Sequence, residues 1–217
     1  MEAIEELKKT RLMVLARGVP KDVLLKAVAA IGEAGVTVFE STFDHRRADC
    51  VAENAEKIAS LVGTFGGQMA IGAGTVLTVE EVRAAHAAGA TFIVSPDSDP
   101  DVIAETKRLG MASIPGAMTP TEIKRAYALG ADIVKLFPAD DLGYHYIQNL
   151  KGPLPHIPLV ATGGVNPETI PEFLLRGILA VGTGITVFRP DLVAAEDYAG
   201  IKSLAQEHID AIRKVNN

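Results

Sequence analysis

The sequence predicts an α/β fold, a single (β/α)8 TIM barrel spanning residues 1–217 with a short helix ahead of the first strand. The length of 217 residues and a hydrophobic content of 48% suit one barrel domain with a large core. Short β-type runs alternate with helical stretches along the whole chain, and the runs are almost continuously apolar, as in parallel sheets covered by helices. Eight such units indicate a closed barrel. An open doubly wound sheet is the alternative, but the first βα turn, Arg17-Gly-Val-Pro20, lacks a glycine-rich nucleotide fingerprint.

Strands and helices can be placed from the hydrophobic pattern. The N-terminal stretch is acidic and helical in pattern, and the helix after the first strand has apolar residues at a period of 3.6, from Val23 to Ala34. The eight predicted strands are Leu12–Ala16, Thr37–Ser41, Met69–Gly72, Phe92–Ser95, Ala112–Pro115, Ile133–Phe137, Leu159–Thr162 and Ala180–Gly182.

Capping signals fix several helix starts. Two are Ser/Thr-x-x-Glu capping boxes and two are Asx–Pro pairs, and each satisfies free N–H groups of a first helical turn. These four signals are Thr78 to Glu81, Thr119 to Glu122, Asp99 before Pro100, and Asn166 before Pro167. The glycine-containing stretch 63–67 is predicted as a loop.

Composition excludes several classes of function. The net charge of -6, an aromatic content of 5% and the absence of tryptophan argue against nucleic-acid binding. No apolar run approaches the ~18 to 20 residues of a membrane span, and the N-terminus lacks a signal-peptide core, so we expect a cytoplasmic protein without membrane contact. The single Cys50 cannot form an internal disulfide and has no metal-ligand pattern near it in sequence; we expect no metal.

Lys135 is the one charge in the apolar run Ile133 to Pro138, where a parallel strand should end. Burial lowers the pKa of an amine and makes available the neutral form that attacks carbonyls to give Schiff bases. The alternative is a lysine that buries its stem and keeps its ammonium in water. Glu40 ends another apolar run, and two lone, opposite charges at strand ends favour one shared site.

Strand periodicity places further polar groups on the same inward face. With Lys135 facing the lumen, Glu40, Thr75, Thr162 and Arg17 share its parity on their own strands. An amine, a carboxylate, two hydroxyls and a guanidinium suit a 2-keto acid: the amine for the ketone, the carboxylate for proton transfer, and the rest for the acid group. Three of these residues also have an explanation without function. Thr75 and Thr162 can hydrogen-bond to backbone groups at strand ends, and Arg17 can be a solvated loop residue.

Glycines cluster after the last two predicted strands. Loops at these positions of a barrel often bind phosphate through backbone N–H groups, whereas tight turns that need positive φ would also explain glycine. The glycines expected to bind phosphate are Gly163, Gly164, Gly182 and Gly184.

Six short motifs, in order and spacing, resemble the class I 2-keto-3-deoxy-6-phosphogluconate (KDPG) / 4-hydroxy-2-oxoglutarate (KHG) aldolase family, which folds as a small (β/α)8 barrel. They are Phe39-Glu-Ser-Thr-Phe43, Gly72-Ala-Gly-Thr-Val-Leu77, Val94-Ser-Pro96, Ile114-Pro-Gly116, Val134-Lys-Leu-Phe-Pro-Ala139 and Ala161-Thr-Gly-Gly-Val-Asn166. The resemblance implies a Schiff base on Lys135, proton transfer by Glu40, pyruvate binding by Thr75 and Thr162, and a pocket shaped by Pro96 and Phe137.

The resemblance also implies reversible cleavage of a 2-keto-4-hydroxy acid to pyruvate and an aldehyde, without metal or cofactor, in a homotrimer. Two departures stand out. Asp44 occupies the place of an arginine that binds the substrate carboxylate in some members, so Arg17, Arg46 or Arg47 must supply the cation. Ile185 replaces a phosphate-contacting serine, for which Thr183 is the candidate substitute. The alternatives are a phosphate-binding barrel that isomerises or decarboxylates without a covalent step, and a non-catalytic barrel that binds a keto acid or serves as an assembly subunit.

Overall fold

A computed structural model describes residues 2–141 and 143–216 of the chain. Nine parallel strands and ten helices occur in this part. The strands are β1 (Leu12–Ala16), β2 (Val38–Thr42), β3 (Ala70–Gly74), β4 (Phe92–Val94), β5 (Ala112–Ile114), β6 (Gly116–Ala117), β7 (Val134–Leu136), β8 (Leu159–Thr162) and β9 (Ala180–Thr183). The helices are α1 (Ala3–Thr10), α2 (Lys21–Ala34), α3 (Cys50–Phe65), α4 (Val79–Ala87), α5 (Pro100–Arg108), α6 (Pro120–Ala128), α7 (Gly143–Lys151), α8 (Ile170–Leu175), α9 (Pro190–Ala194) and α10 (Tyr198–Asn216).

The sheet closes on itself through β5 and β6. The strand order is β5-β4-β3-β2-β1-β9-β8-β7-β6, so the two ends of the sheet are consecutive pieces of chain separated only by Pro115. Proline has no N–H to give to the ladder, which interrupts the strand at that residue. Its carbonyl still accepts from the Lys135 backbone N–H at 2.8 Å, and the Ser113 carbonyl accepts from Asp132 N–H at 2.9 Å. The nine strands therefore form an α/β barrel of eight strand positions.

The predicted (β/α)8 barrel and its N-terminal helix are confirmed, and each predicted strand boundary lies within two residues of the observed one. The capping boxes of α4 and α6 and the Asp99 cap of α5 are present. Two expectations were wrong. Asn166 caps a turn instead of a helix, and α8 begins only at Ile170. Residues 63–65 are helical because α3, anchored by buried Ile58 and Leu61, continues to Phe65 before two glycines end it.

Two apolar layers hold the barrel. The outer layer packs the helices against the sheet. The inner layer fills the lower barrel with side chains from every strand position, among them Val38, Ile133 and Val160, and α1 closes its N-terminal end with Ala3 and Leu7. This plug leaves room for polar side chains only above it, toward the C-terminal strand ends. Across the described ranges, none of the helices combines the length and apolar character that a membrane span requires.

Candidate active site

A cavity of about 770 Å³ opens at the C-terminal ends of the strands, directly above the apolar plug. The structure brings all the site residues predicted from sequence to this one cavity. They are Arg17, Glu40, Thr75, Pro96, Lys135, Phe137, Thr162, Gly163, Gly164, Gly182, Thr183 and Gly184.

Lys135 lies in the middle of β7 and is only 7% exposed. Its Nζ is 4.6 Å from the centre of the Phe137 ring, which walls one side of the cavity. Burial lowers the pKa of Lys135; the negative charge of Glu40 opposes this shift and the positive charge of Arg17 reinforces it. The snorkelling alternative does not fit a side chain enclosed to this degree. Lys135 therefore presents an amine with an increased neutral fraction to the cavity.

Glu40 faces the same cavity from β2 and is 2% exposed. Burial raises the pKa of this carboxyl, and the charge of Lys135, a hydrogen bond from Thr42 and the charge of Arg17 oppose the shift. The Thr42 hydroxyl donates to Oε1 at 3.1 Å. Oε2 has no hydrogen-bond partner in the described part of the chain. A buried carboxylate oxygen left unpaired is costly, so it is available to a ligand or to a proton.

A glycine on the neighbouring strand makes the position of Glu40 possible. A Cβ built on Gly74 would lie 1.4 Å from Glu40 Oε1, so any side chain there would displace the carboxylate. The sequence contains this glycine, but only the paired strands reveal that it is in contact with Glu40.

Arg17 is the arginine that reaches the cavity. Its guanidinium donates to Thr75 Oγ1 at 2.8 Å, and Thr75 has a φ of 55°, an uncommon conformation for a β-branched residue. Arg46 is instead paired with Asp44, because its Nε and Nη2 each donate to a carboxylate oxygen at 2.7 Å. The hydrogen bonds from Arg46 are the main cause that lowers the pKa of Asp44 to about 2.

Arg47 is likewise occupied, because it pairs with Asp49 and Glu53 at the protein surface. Of the three arginines considered as the carboxylate-binding cation, Arg17 alone lines the cavity. Thr162, on β8, offers a second unpaired buried group, its Oγ1. The region around Lys135 thus combines a cation with unpaired hydroxyl and carboxylate oxygens.

The distal end of the cavity is built from the loops after β8 and β9. The backbone N–H groups of Gly163, Gly164 and Ile185 have no hydrogen-bond partner within the described residues, and Gly163 and Gly164 have φ values of +98° and +66°. Free N–H groups of this kind suit an oxyanion. The Ile185 side chain is 72% exposed and offers no hydrogen bond.

Sequence reasoning missed other residues of the cavity. Asn166 and Thr186 line it, as do Val165, Phe188 and Pro190, because the turns after β8 and β9 fold over the barrel end. The available signal was a polar residue, Thr186, three positions after Thr183 in the stretch that follows the last predicted strand. These turns have no strand parity to follow, so their inward residues could not be selected from periodicity.

A cluster of potential metal ligands lies outside the cavity. In the described ranges, His45, Cys50 and Glu81 have donor atoms within 4.8 Å of one another, which the sequence around Cys50 did not indicate. The His45 and Glu81 side chains already hydrogen-bond at 2.7 Å, and the other Glu81 oxygen accepts from the N–H groups of Leu77 and Thr78. These polar groups are satisfied by one another, so the cluster has a structural explanation as a clamp between the β2–α3 loop and α4.

Comparison with known proteins places these features in an enzyme class. The chain is 34% identical to 2-dehydro-3-deoxy-6-phosphogalactonate aldolase of Escherichia coli K12 over 83% of its length and 86% of that protein. It is 33% identical to 2-dehydro-3-deoxy-phosphogluconate aldolase of Treponema pallidum over 97% of its length and 96% of that protein. The structure titled "Native KDPGal structure" superimposes with a TM-score of 0.85 at 30% identity, covering 94% of this chain and 95% of the other. Barrel and relatives together define an aldolase, a carbon–carbon lyase.

The family model for KDPG and KHG aldolases matches residues 3–204. This chain therefore belongs to the KDPG and KHG aldolase family, as the six sequence motifs had indicated. Membership decides against a barrel that only binds a keto acid, and against an isomerase or decarboxylase.

The electrostatics of Lys135 can be tested by titration. We expect the side-chain NMR signal of Lys135, assigned by its loss in Lys135→Met, to titrate at lower pH than the signals of exposed lysines. Glu40→Gln should lower this pKa further because it removes a stabilising anion, whereas Arg17→Gln should raise it because it removes a repelling cation. Exposed Lys124 is the internal control. An ordinary lysine titration for Lys135, unmoved by either variant, would contradict this electrostatic description.

Proposed function

We propose that this protein is a class I aldolase that reversibly cleaves a 2-keto-4-hydroxy acid of the KDPG or KHG type into pyruvate and an aldehyde. The observation that carries the proposal is a buried lysine, Lys135, that shares an enclosed cavity with a buried carboxyl, Glu40. Burial favours the neutral amine, and neutral amines attack ketones. No metal or cofactor enters the proposed reaction.

In the first half of the reaction, the Lys135 amine attacks C2 of the substrate ketone to form a carbinolamine. Loss of water gives a protonated imine, which withdraws electrons from the C3–C4 bond. Arg17, through its guanidinium, and the hydroxyls of Thr75 and Thr162 hold the carboxylate and the pyruvate portion. Oγ1 of Thr162 supports this assignment because it is buried without a partner.

In the second half, Glu40 takes the proton from the C4 hydroxyl, directly or through water. The C3–C4 electron pair moves toward the imine as the bond breaks, the aldehyde leaves, and an enamine of pyruvate remains on Lys135. Protonation at C3 restores the imine, and water releases pyruvate and the amine. Walls formed by Phe137 and Pro96 limit access of solvent to the enamine.

The aldehyde portion extends toward the distal glycines. The relatives' names specify phosphorylated sugar acids for those proteins. Here the N–H groups of Gly163, Gly164 and Ile185 support oxyanion binding, but the Ile185 side chain adds nothing to it. We propose that phosphorylated and unphosphorylated substrates are both accepted.

The catalytic role of Lys135 predicts complete loss of activity on its removal. Lys135→Met should reduce pyruvate release from 2-keto-4-hydroxy acids to background, because no imine can form. Exposed Lys124→Met is the matched control and should retain activity. Both are assayed by a coupled pyruvate assay, with circular dichroism to establish folding. Pyruvate release by folded Lys135→Met at the parent rate would refute the assignment.

Glu40 should be required for proton transfer but not for imine formation. Glu40→Gln should lower turnover by roughly 10²-fold or more, the usual scale of general acid–base catalysis. Exchange of the pyruvate methyl protons in D₂O, followed by NMR, should slow as well if Glu40 also serves the enamine. Near-parent turnover in Glu40→Gln would assign Glu40 a structural role.

Phosphate preference should depend on position 185. Ile185→Ser supplies a hydroxyl donor, and a hydrogen bond to a charged group is worth ~1.5 to 3 kcal/mol, roughly ten- to a hundredfold in affinity. The phosphorylated-to-unphosphorylated ratio of kcat/KM should therefore rise in Ile185→Ser and not in Ile185→Ala. A strong phosphate requirement in the parent, unchanged by serine, would mean that the backbone N–H groups suffice.

Assembly into a homotrimer is proposed from the family resemblance. Closed cyclic assembly is common among homo-oligomers. Light scattering at micromolar concentration should give three times the chain mass of 22.9 kDa. A stable monomer would exclude the trimer.

A further inference from the structure

The two oxygens of the Glu40 carboxylate have different surroundings. Oε1 accepts a hydrogen bond from the Thr42 hydroxyl at 3.1 Å, whereas Oε2 is buried without a partner among the described residues. An ionised carboxylate only accepts hydrogen bonds, so the Thr42 hydroxyl must donate to Oε1. One oxygen is therefore held by the protein, and the other is left for a ligand or a proton.

Thr42 lies on the same strand, β2, as the carboxylate that it contacts. The two residues are two positions apart, and side chains at this spacing share one face of a strand. Thr42 is buried, and its β-branched side chain has a restricted χ1. The position of the hydroxyl relative to Glu40 is therefore set by the strand itself.

The neighbouring strand β3 encloses the same oxygen. In the pairing of β2 with β3, Thr42 lies opposite Gly74. A Cβ built on Gly74 would be 1.4 Å from Glu40 Oε1, so this oxygen lies against the glycine backbone. Thr42 and Gly74 thus hold Oε1 together, and Oε2 is the oxygen that remains for the substrate.

Charged groups also act on this carboxylate, but without a hydrogen bond. Burial raises the pKa of Glu40, and the charge of Lys135 on β7, the Thr42 hydrogen bond and the charge of Arg17 after β1 oppose the shift. On β3, the residue paired with Glu40 is Gly72, which carries no charge. Of the groups that favour the ionised form, Thr42 is the one that hydrogen-bonds to it.

We propose that Thr42 is a positioning residue for the aldol step: by holding Oε1, it directs Oε2 of Glu40 toward the C4 hydroxyl of the substrate. The inference rests on the proposed aldolase function and deepens it by assigning proton transfer to one oxygen. In cleavage, Oε2 takes the hydroxyl proton, directly or through water, and the C4 oxygen becomes the carbonyl oxygen of the aldehyde. The C3–C4 electron pair moves into the imine to give the enamine. The proton then stays on Oε2, because Oε1 still accepts from Thr42.

Two substitutions at position 42 test this role. Thr42→Val is nearly isosteric and removes the donor, whereas Thr42→Ser retains it. Thr42→Val should lower kcat for a 2-keto-4-hydroxy acid by roughly tenfold or more, the scale of a lost hydrogen bond to a charged group, with little change in KM. Thr42→Ser should recover most of the parent kcat. A parent value of kcat in Thr42→Val would overturn the proposal.

The pH profile distinguishes positioning of Glu40 from a general structural defect. Cleavage needs the ionised carboxylate, so kcat falls at low pH as Glu40 is protonated. Loss of the Thr42 hydrogen bond destabilises the anion and raises the pKa of Glu40. The acid limb of the kcat profile should therefore move to higher pH in Thr42→Val and return in Thr42→Ser. An equal decrease of kcat at every pH would contradict the proposal.

A double-mutant cycle with Glu40→Gln tests whether Thr42 acts through Glu40. Thr42→Val should lower kcat in the parent and cause little further loss in Glu40→Gln. Equal losses in the two backgrounds would assign Thr42 a structural role. The matched control is Thr106→Val on α5, because the hydroxyl of this buried threonine donates to the Val102 carbonyl within its own helix. The control should retain the parent kcat and pH profile.

Labelling of Lys135 with pyruvate and borohydride separates this inference from the underlying function. Thr42→Val should still be labelled, because the imine forms before the step that Thr42 assists. Absence of both label and cleavage in the parent would refute the aldolase function itself. A labelled, active parent whose kcat and pH profile are unchanged in Thr42→Val would refute the role of Thr42 alone.

Discussion

Burial of two ionisable side chains above one apolar plug is the constraint on which the site depends. Lys135 and Glu40 face a single cavity from β7 and β2. Desolvation lowers the pKa of Lys135 and raises that of Glu40, and both shifts favour the neutral form of the side chain. Each charge partly offsets the other's burial, so neither side chain is independent. Arg17 adds a positive charge that favours the neutral amine and the ionised carboxyl. The closed sheet and α1 prevent water from reaching the two side chains from the N-terminal end of the barrel.

Glycines on neighbouring strands leave space for the polar side chains of the site. Gly74 lets the Glu40 carboxylate lie against β3, and a Cβ on Gly182 would come within 2.6 Å of Thr162. At the distal end of the cavity, the unpaired backbone N–H groups of Gly163, Gly164 and Ile185 take the place of charged side chains. One end of the cavity therefore suits covalent chemistry on a keto acid, and the other end suits an oxyanion.

Much of the fold and the site's composition could be predicted because strand parity and capping chemistry are local. The period of two placed Lys135, Glu40 and Thr162 on the lumen side, and the capping boxes marked α4 and α6. Contacts between distant segments could not be predicted. Periodicity does not reveal that Gly74 touches Glu40, that Arg46 is held by Asp44, or that His208 reaches Thr186 from the last helix. The split at Pro115 and the helical end of α3 likewise depend on neighbours in space.

The most direct test of the central claim is to trap the covalent intermediate in the parent protein. Incubation with pyruvate and borohydride, followed by peptide mass spectrometry, should locate one reduced pyruvate adduct per chain on the peptide that contains Lys135. Labelling should be suppressed by omission of either reagent. Absence of an adduct, or an adduct on any other lysine, would contradict the account that burial makes Lys135 the nucleophile.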